Sequence, residues 1–152
     1  MMSKEEKLLV PYIERFNGNL LVQAKEFEKA VAHYNKSLLS MQMLFKMQDN
    51  PVIETKEQAV TYIKEIEILV CVNLAYCYLQ LQEYHHTIKY CSQALEKDEE
   101  NVKALYRMGL AYTRIGELNK ARETFNKVAA LETDEAMKNS VTKALQEVKK
   151  VE

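Results

Sequence analysis

Residues that break regular structure are scarce in this chain, with three glycines and two prolines in 152 residues. That scarcity excludes loop-rich and disordered architectures and predicts long helices joined by short turns. An excess of one charge is also missing: Lys and Arg number 21, Asp and Glu 22, and the formal net charge is -1. No bulk field therefore draws the chain to nucleic acid or to a membrane, and charge-based recognition has to come from a local cluster. The basic residues are interleaved with acidic ones, which argues against a nucleic-acid surface. No apolar run approaches the roughly 18 residues of a membrane span. The opening MMSKEEKLLVPYIERF has no signal-peptide core, so a cytoplasmic location is expected.

Cysteine is sparse too. Cys71, Cys77 and Cys91 form no CxxC, and His33, His85 and His86 do not stand at zinc-site spacings from them. The three thiols read as small buried hydrophobes in a reducing compartment, with no metal and no cofactor. The chain contains no Gly-rich phosphate loop, no GxSxG and no HExxH, and His85-His86 have no acidic or nucleophilic partner nearby in sequence. The expectation is a protein that is not an enzyme.

What the chain does have is internal repetition. Residues 12–38, residues 69–95 and a segment starting at 102 align. Each places a small residue in the middle of a first helix (Gly18, Ala75, Gly109) and a larger one three residues on (Leu21, Tyr78, Tyr112). Ala30, Thr87 or Ala121 follows, then Tyr34, Cys91 or Phe125, then Ser37, Ala94 or Val128. This spacing predicts a helical hairpin: the small residue lets two helices approach, and the i+3, i+4, i+7 recurrence makes one buried face. Lys25-Glu26, Gln82-Glu83 and Gly116-Glu117 fall where each hairpin must turn.

Ala75 and Gly109 are 34 residues apart, whereas Gly18 and Ala75 are 57 apart. The extra 23 residues predict a longer second helix in repeat one, a turn at Asp49-Asn50-Pro51 and a longer first helix in repeat two. Met41, Met43 and Met47 in this stretch read as core filling. Ser3-Lys4-Glu5-Glu6 has capping-box form, and Pro11 is expected near the start of the first repeat helix. Asn101 should cap a helix from Val102, and Thr133 or Asp134 a last helix reaching about Lys150. That amphipathic helix would cover the stacking face of the last repeat, which predicts a monomer.

The first helices of such hairpins line a concave side. Arg15 and Asn19 share one helix face at i, i+4, as do Lys103 and Arg107, and Asn73 stands two residues before Ala75 as Arg107 does before Gly109. Three cations and two amides together suit an anion, above all a carboxylate. Val22, Tyr76 and Leu110 lie three residues beyond these positions and are candidates for an apolar groove floor.

A 34-residue period is that of the tetratricopeptide repeat (TPR). From about residue 11 to 150 the chain resembles the TPR co-chaperones with a two-carboxylate clamp. The resemblance implies an all-α fold: a right-handed superhelix of three helix-turn-helix repeats plus a C-terminal capping helix. Repeat one would span about 11–48, extended helices about 41–67, repeat two about 68–100, repeat three about 102–132 and the cap about 134–150, all within one domain, 1–152. It implies a peptide carboxylate clamp of Arg15, Asn19, Asn73, Lys103 and Arg107. The family commonly has Lys where Arg15 stands, and the planar guanidinium is a different geometry. The implied partner is the C-terminal EEVD-type tail of heat-shock protein 90 or 70, with no nucleic acid or membrane involved. The long insertion is similar to that of the immunophilin branch, in which a prolyl isomerase domain precedes the repeats. No isomerase domain lies in this sequence, leaving open a fragment or a relative that lacks it. The alternative function is a structural adaptor that binds partners outside the groove.

Overall fold

A computed structural model describes residues 1–48, 51–131 and 134–151. Its described residues form helices and no strands: α1 (Lys4–Gln23), α2 (Phe27–Lys46), α3 (Lys56–Tyr62), a π-helical segment (Ile63–Ile68), α4 (Leu69–Gln80), α5 (Tyr84–Lys97), α6 (Val102–Arg114), α7 (Leu118–Ala130) and α8 (Glu135–Val151). Helical backbone continues through both ends of the π segment, so residues 56–80 form one rod. None of these helices is long and apolar enough to cross a membrane.

The three hairpins are α1–α2, α4–α5 and α6–α7, stacked in chain order, with α8 packed on α7 and α6. All three turn in the same way. Lys25, Gln82 and Gly116 take left-handed backbone, with φ of 59°, 61° and 84°. The N–H after each reaches back five residues, Glu26 to Leu21 O, Glu83 to Tyr78 O and Glu117 to Tyr112 O, each at 2.9 Å. These bonds satisfy carbonyls that a helix end leaves orphaned. The carbonyls of the same three glutamates then accept from Ala30, Thr87 and Ala121, opening the second helix of each pair.

The repeated positions behave as their spacing predicts. Ala30, Thr87 and Ala121, then Tyr34, Cys91 and Phe125, then Ser37, Ala94 and Val128 are all buried. A Cβ added at Gly18 would lie 2.5 Å from Tyr34, and one added at Gly109 would lie 2.6 Å from Phe125. Where the middle repeat carries Ala75, the residue sixteen positions on is the small Cys91 rather than an aromatic ring. The apolar interior is two clusters, one gathered from α1–α5 together with Ala104 of α6 and one from α6–α8, with Leu95 and Met108 packed against both.

The caps explain the element ends. Ser3 accepts from Glu6 N at 3.1 Å, Asn101 from Ala104 N at 3.0 Å and Asp134 from Met137 N at 2.8 Å. Thr55 and Gln58 form a reciprocal capping box that starts α3. Asp49, Asn50 and Thr133 lie outside the described residues.

Two expectations are corrected. Pro11 does not open the first helix; it lies well inside α1, which begins at Lys4. Proline in a helix removes one backbone bond. Here its ring is fully buried and its carbonyl accepts from Ser37 Oγ at 2.6 Å, tying α1 to α2 at the weak point. Among the methionines, Met41 is core and Met47 packs against it, but Met43 is 62% exposed on the outer face of α2. The three cysteines are free and fully buried, and burial pushes each thiol up to about 12.

Candidate functional site

The inner helices α1, α4 and α6 each present polar residues to a common concavity. A pocket of about 320 Å³ is lined by Asn19, Val22, Gln23, Tyr34, Asn73, Tyr76 and Arg107. None of those seven residues is acidic, and one is a cation.

Arg107 is the cation. Its Nη1 donates to Val72 O at 2.7 Å, and its guanidinium lies 5.0 Å from the centre of the Tyr76 ring. Tyr76 is itself held edge-on by Phe27, ring centres 5.9 Å apart. A guanidinium has five N–H donors in a rigid fork. Pinning one of them and stacking the plane fixes where the others point. Burial lowers the pKa of Arg107 from its usual value, which reflects a charge that water does not fully solvate. Such a charge gains more from an incoming anion than an exposed one does.

Asn19 is oriented by the core beneath it. The phenol of Tyr34 donates to Asn19 Oδ1 at 2.6 Å, and Asn73 Nδ2 approaches the same oxygen at 3.4 Å. With its acceptor occupied, Asn19 has its amide N–H groups left to offer a ligand. The asparagine pair, backed by a buried phenol, thus forms a donor platform beside Arg107. Burial pushes the Tyr34 phenol well above its ordinary range, so it stays a neutral donor.

Of the five polar candidates, the structure brings Asn19, Asn73 and Arg107 into the pocket lining, and of the three apolar ones, Val22 and Tyr76. Arg15, Lys103 and Leu110 do not line it. Arg15 is held by the π segment: Nη1 donates to Glu65 O at 2.8 Å, and the guanidinium sits 5.3 Å from the Tyr12 ring centre. Tyr12 in turn donates to Glu65 Oε2 at 2.6 Å. Lys103 is exposed in the first turn of α6, with no ion-pair partner among the described residues. Leu110 packs against the cluster of α6–α8.

Sequence reasoning missed Gln23 and Tyr34 as lining residues. Gln23 was findable, because it follows Asn19 by four residues on one helix face. Tyr34 was recognised only as a core aromatic; its hydroxyl acts across the hairpin, a pairing that sequence spacing does not encode. The hold of Glu65 on Arg15 was likewise hidden, since it depends on the π segment.

Comparison with known proteins places the fold. Residues 78–144 match a family model described as tetratricopeptide repeat. The chain is 33% identical over 132 residues to peptidyl-prolyl cis-trans isomerase FKBP4 of Bos taurus, a match covering 86% of this chain and 27% of that protein. It is 27% identical over 149 residues to FKBP42 of Arabidopsis thaliana, covering 98% of this chain and 39% of that one. The chain therefore spans well under half the length of these curated relatives. Among solved structures it is similar to the C-terminal TPR-containing domain of a Plasmodium falciparum FK506-binding protein, with TM-score 0.79, 28% identity and coverage of 99% and 95% of the two chains. It is also similar to the second TPR of Spaghetti (RPAP3) bound to HSP90 peptide SRMEEVD, with TM-score 0.64, 25% identity and coverage of 85% and 97%.

Proposed function

Because this chain is a tetratricopeptide repeat domain, homologous to the repeat regions of FK506-binding immunophilins, we propose that it is a co-chaperone module. On this reading it docks the free C-terminal acidic tail of heat-shock protein 90 or 70 in its concave groove. One observation carries the reading: Asn19, Asn73 and Arg107 converge on a pocket whose lining has no carboxylate. A main-chain carboxylate fits such a donor set, because charge-assisted hydrogen bonds to it are short and strong. The similar RPAP3 domain holds a peptide ending in EEVD. Val22 and Tyr76 offer apolar contact beside the donors.

Lys103 stands one turn before Arg107 and Arg15 one turn before Asn19, as flanking cations for the acidic side chains of the tail. Arg15 keeps further N–H donors after bonding Glu65 O. The role is binding rather than catalysis, and the proposed setting is the cytoplasm.

The test is calorimetric titration with an acetylated MEEVD peptide as free acid and as C-terminal amide. A charged hydrogen bond contributes about 1.5–3 kcal/mol, and a micromolar complex about 8 kcal/mol in all. The free acid should bind with micromolar affinity and the amide at least tenfold more weakly. Equal affinities, or no binding of the acid at millimolar peptide, would overturn the reading.

A further inference from the structure

We propose that Tyr12 is a positioning residue for Arg15: its hydroxyl holds the Glu65 carboxylate off the Arg15 guanidinium and so keeps that cation free for a carboxylate of a bound peptide. This role rests on the co-chaperone reading above. It adds to that reading an internal competitor for the peptide, and the residue that restrains it.

The difficulty starts with the backbone. Arg15 Nη1 donates to Glu65 O at 2.8 Å, so the guanidinium is fixed beside a residue that carries an acid. A carboxylate tethered this close competes at a high effective concentration with any peptide from solution. An internal pair would occupy the fork that a ligand carboxylate needs and cancel its charge. Yet no ion pair joins Glu65 to Arg15 among the described residues. The Glu65 carboxylate is turned to Tyr12 instead, whose hydroxyl donates to Oε2 at 2.6 Å. Glu14, the sequence neighbour of Arg15, is also taken, with its Oε2 at 2.7 Å from His33 Nδ1.

Tyr12 is built to hold its place. It precedes Arg15 by three residues on α1, and the guanidinium lies 5.3 Å from its ring centre. The ring packs against Tyr62, centres 5.5 Å apart, and the buried Tyr62 is itself anchored by donating to Leu8 O at 2.7 Å. Burial, and then the bond to Glu65, push the Tyr12 phenol above its ordinary range, so its proton stays available to donate. The arrangement is closed. The Glu65 carbonyl places Arg15, the Arg15 guanidinium lies against Tyr12, and the Tyr12 hydroxyl turns the Glu65 carboxylate away. Asn19, one turn along the same helix face, lines the pocket, so the freed donors of Arg15 stand at its rim.

Calorimetry with the acetylated MEEVD free acid on the parent, Tyr12→Phe, Glu65→Gln and the double variant reads this role. Phenylalanine keeps the ring against Arg15 and removes only the hydroxyl. The released carboxylate turns to the guanidinium, and peptide affinity should fall about three- to fivefold, the weight of an exposed ion pair. Glu65→Gln removes the competitor and should tighten binding. The double variant should bind like Glu65→Gln, because Tyr12 acts only through that carboxylate. If the bond merely ties α1 to the rod, the double variant is no better than Tyr12→Phe. A Tyr12→Phe chain that binds like the parent, or a double variant as weak as Tyr12→Phe, would overturn the proposal.

A crystal structure of the unliganded Tyr12→Phe chain tests the same point without peptide. The Glu65 carboxylate should lie within the roughly 4 Å of an ion pair from the Arg15 guanidinium. A carboxylate still turned away overturns the proposal whatever the peptide does. If the carboxylate does turn but the parent binds no peptide, the co-chaperone reading falls and the hold of Tyr12 on Glu65 stands.

Discussion

Replacing Gly109 with Ala sets two effects of similar size against each other, and the structure decides between them. Gly109 lies in the interior of α6, where Ala is intrinsically better by about 1 kcal/mol. The new methyl would, however, sit 2.6, 2.8 and 2.8 Å from three ring atoms of Phe125. That ring is fully buried, so it has no open side toward which to swing. Overpacking of this kind costs about 1–3 kcal/mol, and three simultaneous contacts this short call for the upper part of that range. The net expectation is a loss of about 1–2 kcal/mol, read as a lower urea midpoint with an unchanged slope. Pairing it with Phe125→Cys, which reproduces the Ala75–Cys91 combination, should cost less than the two single changes summed. If Gly109→Ala is as stable as the parent, helix propensity has won, and close approach is not why glycine stands there.

Other outcomes follow from the same reasoning. Gln82→Gly should raise stability by about 0.5–1 kcal/mol in a urea titration, because a left-handed φ of 61° strains any residue with a Cβ. Tyr34→Phe should leave the fold intact but weaken binding of the acidic peptide several-fold by calorimetry, since it removes the donor that orients Asn19. Arg107→Ala should weaken that binding tenfold or more, and Lys103→Ala should flatten its dependence on salt. The folded thiols titrate near 12 and unfolded ones near 9. Stability should therefore be unaffected by them below pH 9 and fall as pH rises from 9 toward 12, where the unfolded chain releases protons the native chain retains. Denaturation followed at stepped alkaline pH checks the sign.

Much of the hairpin lattice was legible because one rule is written three times. The small residue, the buried position sixteen residues on and the turn recur at fixed distances, so each repeat checks the others. The candidate pocket was legible to the extent that it depends on that register, which placed Asn19, Asn73 and Arg107 on inner helices. What escaped depends on contacts between elements distant in sequence. Pro11 inside α1 is tolerated because Ser37 and a buried ring position support it, and neither fact is local to Pro11. The tie between Arg15 and Glu65 joins residues fifty positions apart through a helical irregularity with no sequence signature. Met43 was misread because a methionine at the edge of a buried stripe has the same neighbours in sequence as one inside it.

The π segment in the 56–80 rod divides one helix into two pieces whose rotational phases are set separately. A single extra residue in a helix turns everything beyond it by about 100°. Upstream of the segment the rod serves α1: Tyr62 donates to Leu8 O at 2.7 Å, and within the segment Glu65 engages Tyr12 and Arg15. Downstream it serves the repeat lattice, presenting Asn73 and Tyr76 to the pocket. The segment thus acts as a phase compensator. A one-residue gain or loss in the long insertion can be taken up there without rotating Asn73 or Tyr76 out of place. What changes instead is the grip on Arg15, so the length of a remote insertion sets how firmly one rim cation is restrained.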